Sequence, residues 1–189
     1  MKKRIALFIS GRGSNMKAIV EQCQGGILKD LVEVVLVFAN RQDAGGLEHA
    51  QQLGLETHCI ESRGLKRTAF DQKVLTLLSD YQLDYIVLAG YMRVLSSAFV
   101  AAYPKRIINI HPADTAQHQG LNGYGWAFEK GLETTKVTVH YVDEGLDTGA
   151  IIAQHSVDLK GASTLEEVER RGLAVEHYFY SKTLQEIFE

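Results

Sequence analysis

Five consecutive apolar residues, Ile5-Ala6-Leu7-Phe8-Ile9, stop at Ser10-Gly11-Arg12-Gly13 and give way to a stripe at Met16, Ile19, Val20 and Cys23. A strand that is apolar at every position has no face to offer water, so it belongs inside a sheet covered on both sides. The glycines turn the chain, and the spacing of the stripe makes the next segment a helix with one buried face. The pattern repeats. Val32 to Phe38 reads as a strand, Ala44 to Leu53 as a helix, Thr57 to Ile60 as a strand and Arg67 to Tyr81 as a helix. Tyr85 to Gly90, a short helix at Ser96 to Ala102 and a strand at Arg106 to Ile110 follow. Such alternation specifies an α/β fold with a doubly wound, mostly parallel sheet, whose ligands bind beyond the carboxyl ends of the strands.

After His111 the texture changes. Pro112 to Gly125 is polar and glycine-rich and reads as a long mobile loop, followed by a helix at Trp126 to Gly131. Val137 to Val142 and Ala150 to Val157 read as an antiparallel strand pair joined by Asp143 to Gly149. Ser163 to Phe188 carries apolar residues at Leu165, Val168, Val175, Phe179 and Ile187, a long C-terminal helix with Ser163 and Glu166 as its capping box. That helix is expected to cover the sheet, which leaves monomer and homodimer both open. With 189 residues, 46% of them apolar, and no repeat or linker, residues 1–189 are expected to form a single domain.

Charge and composition exclude several classes. Twenty basic against 23 acidic residues give a net charge of −3, so the broad cationic surface of a nucleic-acid binder is missing. No apolar run approaches the roughly 18 residues of a membrane span, and a cytoplasmic location is expected. Cys23 and Cys59 lie in apolar patterns without metal or redox spacing and read as buried free thiols. The seven histidines are scattered, so no metal site is expected.

Ser10-Gly11-Arg12-Gly13-Ser14-Asn15 joins a buried strand to a helix, where free N–H groups and the helix dipole favour an anion. A dinucleotide fingerprint would need glycine at Met16 and an acid at Asn40, and no Gly-Lys-Ser/Thr follows. A small phosphate at Gly13, Ser14 and Asn15 remains, beside the simpler reading of a tight turn with Ser14 or Asn15 as helix cap. At the end of the fifth strand, Asn109 and His111 alternate onto one side near the carboxyl edge. An amide can donate to an oxyanion and an imidazole can carry a proton; alternatively His111 is a core histidine bonded to backbone. Asp147, in Leu146-Asp147-Thr148-Gly149, is the candidate partner carboxylate, with Asp143 and Glu144 competing and an ordinary turn aspartate as the plainer reading.

Taken together, Ser10 to Asn15, Ala89-Gly90-Tyr91-Met92-Arg93-Val94-Leu95, Asn109-Ile110-His111-Pro112 and Leu146 to Gly149 resemble, in order and spacing over nearly the whole chain, the folate-dependent formyltransferase family in its phosphoribosylglycinamide branch. The resemblance implies a Rossmann-like formyltransferase fold and transfer of a formyl group from 10-formyltetrahydrofolate to the amine of glycinamide ribonucleotide in purine synthesis. It implies that Asn109 and protonated His111 stabilise the oxyanion, that His111 transfers the proton and that Asp147 raises its pKa. Gly13, Ser14 and Asn15 would take the acceptor's phosphate and Glu176 would bind the acceptor, although on spacing alone Glu176 sits on a solvated helix face. Arg67, Met92, Arg93, Val94, Leu95 and Asn109 match folate-contacting positions.

The chain departs from the family pattern after His111-Pro112. Ala113 to Gly120 replaces a stiff apolar segment and its second proline without changing the length, which points to a rebuilt wall. His118, Asn122 and Tyr124 in that loop receive no role, with solvated loop as the default. Competing readings are a 10-formyltetrahydrofolate hydrolase, a formyltransferase for another amine, and a non-catalytic folate or phosphate binder. Against the hydrolase stand the phosphate turn, which water would not need, and the absence of an added regulatory domain.

Overall fold

A computed structural model describes residues 1–189. In chain order the elements are β1 (Lys3–Ile9), α1 (Ser14–Gly25), β2 (Val32–Ala39), α2 (Gly45–Gln52), β3 (Thr57–Cys59), α3 (Arg67–Leu78), β4 (Tyr85–Leu88), α4 (Ser97–Ala102), β5 (Ile107–His111), α5 (Gly123–Glu129), β6 (Thr134–Tyr141), β7 (Ile151–Asp158) and α6 (Leu165–Phe188). All seven strands join one sheet in the order β3-β2-β1-β4-β5-β6-β7. The pairings from β3 through β5 are parallel, whereas β6 runs antiparallel to β5 and β7 antiparallel to β6. The expected alternation and the C-terminal antiparallel pair are both present.

β1 sits at the centre because its sequence permits nothing else: Ile5 to Ile9 are all fully buried. Its side chains divide by parity between two apolar layers. Ile5, Leu7 and Ile9 pack with α1 and α6 through Met16, Ile19, Tyr180 and Leu184. Ala6 and Phe8 pack on the other side with Phe38, Phe70, Val74 and Phe99. The chain order reverses between β1 and β4, so the crevice beyond the ends of these strands and of β5 is where a ligand site is expected.

Four local expectations are corrected. The glycine-rich segment becomes helical at Gly123, three residues earlier than propensity suggests, because Tyr124 packs into the core and tertiary contact outweighs the helix cost of glycine. Pro112 to Asn122 is also pinned rather than loose: Asp114 accepts from Lys136 Nζ at 2.7 Å and from Gln154 Nε2 at 3.2 Å, and Thr138 Oγ1 donates to the Ala113 carbonyl at 2.7 Å. The cap of α6 is Thr164, whose Oγ1 accepts from the Glu167 N–H at 3.2 Å, one residue later than Ser163 and Glu166. Cys23 and Cys59 are free but half-buried, and burial pushes the Cys23 thiol up to about 12.

α6 does cover the sheet, and its hold on the strands is partly polar. The fully buried Tyr180 hydroxyl lies 3.0 Å from both the Leu88 carbonyl oxygen, at the end of β4, and the Ile108 carbonyl oxygen, in the first half of β5. No helix is long and apolar enough to cross a membrane. Tyr180→Phe strips the donor from two buried carbonyls and should lower stability by about 1–3 kcal/mol, read as a shifted urea midpoint with an unchanged slope.

Candidate functional site

Where β4 and β5 end, a cleft of about 390 Å³ opens between the Gly90–Leu95 segment, the Pro112–Asn122 loop and the β6–β7 loop. This is within the size range of small-molecule sites. Met92, Val94, Leu121 and Leu146 keep large apolar surface exposed around it, a mouth suited to an apolar part of a ligand. Asn109, His111 and Asp147 all line its wall.

Asp147 adopts φ 54, the left-handed conformation, at the end of the β6–β7 loop. Its carboxylate thereby turns back toward β5. Oδ2 lies 3.3 Å from His111 Nδ1 and accepts from the Gly120 N–H at 2.8 Å. Oδ1 lies 3.5 Å from His140 Nε2 and 3.4 Å from Asn109 Nδ2. The rival acids are used otherwise. Asp143 Oδ1 accepts from Gly145 N–H and Thr148 Oγ1, shaping the loop, and Glu144 accepts from Ser97 Oγ on α4. Burial pushes Asp147 up, but His140, the Gly120 N–H and His111 outweigh it and hold the carboxyl below its usual range.

His111 is not held protonated, which corrects the sequence expectation. Its ring is 4% exposed, and that burial drives its pKa down by more than Asp147 and the His118 carbonyl push it up. The ring stands between two acceptors: Nε2–H donates to the His118 carbonyl at 2.9 Å, while Nδ1 faces Asp147. A neutral imidazole has one N–H and satisfies one of them; an imidazolium satisfies both. The site therefore resists a resting charge and yet rewards a proton taken up in passing.

His140 was not anticipated. It is 2% exposed and is the register partner of Asn109 across β5 and β6. Its Nδ1–H donates to the Tyr141 carbonyl at 2.9 Å, which leaves Nε2 to accept from Asn109 Nδ2 at 3.2 Å. A histidine alternating with Val137 and Val139 was the available signal, since a polar residue inside a strand is costly unless paired; the pairing with Asn109 follows only from strand register.

A second cluster forms outside this cleft. Gly13 takes φ 74 as the N-cap of α1, and no side chain caps that helix. A Cβ at Gly13 would lie 3.0 Å from Gly46 Cα, so glycine serves both the left-handed turn and the close approach of α2. Asn15 Nδ2 donates to Glu176 Oε2 at 2.5 Å, and Tyr124 Oη donates to Oε1 at 2.5 Å. Glu176 is thus buried, not on a solvated face. Ser10 links the two regions: its Oγ accepts from the Met92 N–H at 2.8 Å and donates to Asn40 Oδ1 at 2.5 Å.

Met92, Arg93, Val94 and Leu95 line the cleft as expected, with the Arg93 guanidinium lying 4.5 Å over the Phe70 ring. Arg67 does not: it opens α3, exposed and outside the cleft lining. In the rebuilt loop, the His118 ring stacks on Trp126 at 4.9 Å, and Asn122 lines the cleft.

Residues 3–184 match the formyl transferase family. The phosphoribosylglycinamide formyltransferase of Escherichia coli (strain K12) is 37% identical over 177 residues, covering 93% of this chain and 82% of that protein. The enzyme of the same name from Bacillus subtilis (strain 168) is 34% identical over 189 residues, 98% of this chain and 94% of that one. Among solved structures, glycinamide ribonucleotide transformylase 1 from Geobacillus kaustophilus superposes with a TM-score of 0.93 at 35% identity, with 100% of both chains covered. By sequence match, by identity over nearly its full length and by fold, the chain belongs to the formyl transferase family.

Proposed function

We propose that the protein transfers the formyl group of 10-formyltetrahydrofolate to the amine of glycinamide ribonucleotide. The observation that carries this reading is the convergence of Asn109, His111 and Asp147 on one wall of the cleft, with Asp147 Oδ2 3.3 Å from the His111 ring. The apolar mouth formed by Met92, Val94, Leu121 and Leu146 receives the folate ring system. The uncapped N-terminus of α1 at Gly13, Ser14 and Asn15 offers unpaired N–H groups to the acceptor's phosphate, with no acidic residue in its first turn to oppose it. Glu176, held by Asn15, takes part in binding the rest of the acceptor.

The neutral amine attacks the formyl carbon, a C–N bond forms, and the carbonyl oxygen becomes an oxyanion. Asn109 redirects an amide N–H from its long contacts with His140 and Asp147 to that oxygen. The attacking nitrogen, now positive, gives its proton to His111, neutral at rest, at Nε2 once the ring's single N–H is held on Nδ1 by Asp147 and Nε2 has left the His118 carbonyl. The resulting imidazolium is stabilised by Asp147 and returns the proton to the folate nitrogen as the second C–N bond breaks. The products are the formamide and tetrahydrofolate, with atoms and charge conserved.

The test is turnover with 10-formyltetrahydrofolate in the presence of glycinamide ribonucleotide, other amines or water alone. Formyl transfer to glycinamide ribonucleotide is expected; release of formate alone would make the protein a hydrolase. His111→Ala should lower kcat by about 10²–10⁴-fold while circular dichroism shows the fold retained. Because burial holds His111 below its ordinary value of 6.5, the acid limb of kcat/KM should fall below that pH, the base being lost as pH drops through its pKa. Ser14→Asp places a negative charge at the helix N-terminus and should raise the acceptor KM while leaving the folate KM unchanged.

A further inference from the structure

Glu176 is gripped from both sides, by Asn15 Nδ2 at Oε2 and by Tyr124 Oη at Oε1, each at 2.5 Å. Relative exposures of 5% for Glu176, 7% for Asn15 and 8% for Tyr124 bury all three where α1, α5 and α6 meet. The backbone is fitted to this contact. A Cβ at residue 172, one turn before Glu176, would come within 2.1 Å of the Tyr124 ring, so Gly172 is what lets the ring reach the acid. At the same time Asn15 Oδ1 is buried without a partner. A buried carboxyl held by two donors beside an orphaned amide oxygen is a receptor for N–H or O–H groups, and Tyr124 supplies one of its two fixed points.

We propose that Tyr124 is a positioning residue for the acceptor: its hydroxyl fixes the orientation of the Glu176 carboxyl, so that this acid and Asn15 Oδ1 together take the acceptor's N–H or O–H donors. This rests on the reading that the Gly13–Asn15 turn and Glu176 form the acceptor subsite. The role is specific because a phenol is a donor to the carboxylate and its rigid ring leaves the hydroxyl little freedom. Around Glu176, α5 contributes Tyr124 and α1 contributes Asn15. On α6 itself, Tyr180 is turned to the Leu88 and Ile108 carbonyls, Glu169 acts on Tyr124, and His177 is influenced by Glu21. Burial pushes the Glu176 carboxyl up and the two donors oppose it. Loss of the phenol therefore moves that carboxyl further toward its neutral form.

The experiment measures glycinamide ribonucleotide binding by calorimetry, with steady-state kinetics, for wild type, Tyr124→Phe, Glu176→Gln and the double variant. Tyr124→Phe keeps the ring and its packing; it should weaken acceptor binding about tenfold with kcat and the folate KM within about twofold of wild type. The acid limb of acceptor kcat/KM should move to higher pH, because Glu176 then protonates earlier as pH falls. In the Glu176→Gln background the same change should cost less than about twofold, since Tyr124 acts through the acid. Unchanged acceptor affinity in Tyr124→Phe, equal weakening of folate and acceptor, or a full tenfold effect in the Glu176→Gln background would each overturn the proposal. Wild-type protein that does not bind glycinamide ribonucleotide would overturn the proposed acceptor as well, whereas wild-type binding that Tyr124→Phe leaves intact overturns the positioning role alone.

Discussion

The Asp147 carboxylate is the interaction on which the rest of the cleft depends. Four groups from three segments meet on its two oxygens: His111 and Asn109 from β5, His140 from β6 and the Gly120 N–H from the rebuilt loop. At 10% side-chain exposure water cannot substitute for these partners, so the carboxylate fixes the loops as much as it acts on His111. Its left-handed backbone is the strain this requires, since a non-glycine residue adopts φ 54 only where its surroundings enforce it. The neighbouring Asp143 supplies that enforcement by folding the turn onto Thr148 and Gly145.

Two short connections hold the cleft and the Gly13–Glu176 cluster in register. One is Ser10, whose hydroxyl joins the start of the glycine turn to the Met92 amide on the cleft wall. The other is the segment from Gly120 to Tyr124, which bonds Asp147 at one end and Glu176 at the other. Both are short, buried or half-buried hydrogen-bonded links. Positioning of two reactants is worth more to a bimolecular reaction than any single contact, and it is lost by shifts of the order of 1 Å.

The sheet was legible because β1 is apolar at every position and the helical stripes that follow the strands have one period. The cluster on the cleft wall was legible in part: Asn109 and His111 share a strand, and alternation alone puts them on one side. His140 was hidden because its relevance depends on the register between β5 and β6, which no local pattern encodes. The charge of His111 was misjudged because a carboxylate partner is visible in a sequence whereas the depth of burial that opposes it is not. Glu176 and Tyr124 were obscured for a related reason. Helical spacing leaves Glu176 on the polar side, and only the approach of α1 and α5 to α6 closes a pocket over it. Asn40, which the sequence offered merely as evidence against a dinucleotide, proves to be the centre of a buried chain from Ser10 to Ser62.

Along α6, Gly172, Glu176 and Tyr180 follow one another at intervals of four residues, so they form a single row on one face. The first accommodates the Tyr124 ring, the second holds Asn15 and the third reads the carbonyls of Leu88, at the end of β4, and of Ile108, within β5. At 1.5 Å of rise per residue the row spans about 12 Å. The helix thus acts as a ruler laid across the back of the sheet, with its marks set against the Asn15–Tyr124 cluster at one end and the strand that ends at the cleft at the other. An inserted residue between the outer marks would rotate them by about 100° relative to each other and break the measure, even though neither mark touches the formyl group. Spacing on a remote helix is in this sense part of the reaction geometry, and it constrains how the chain can lengthen or shorten as it diverges.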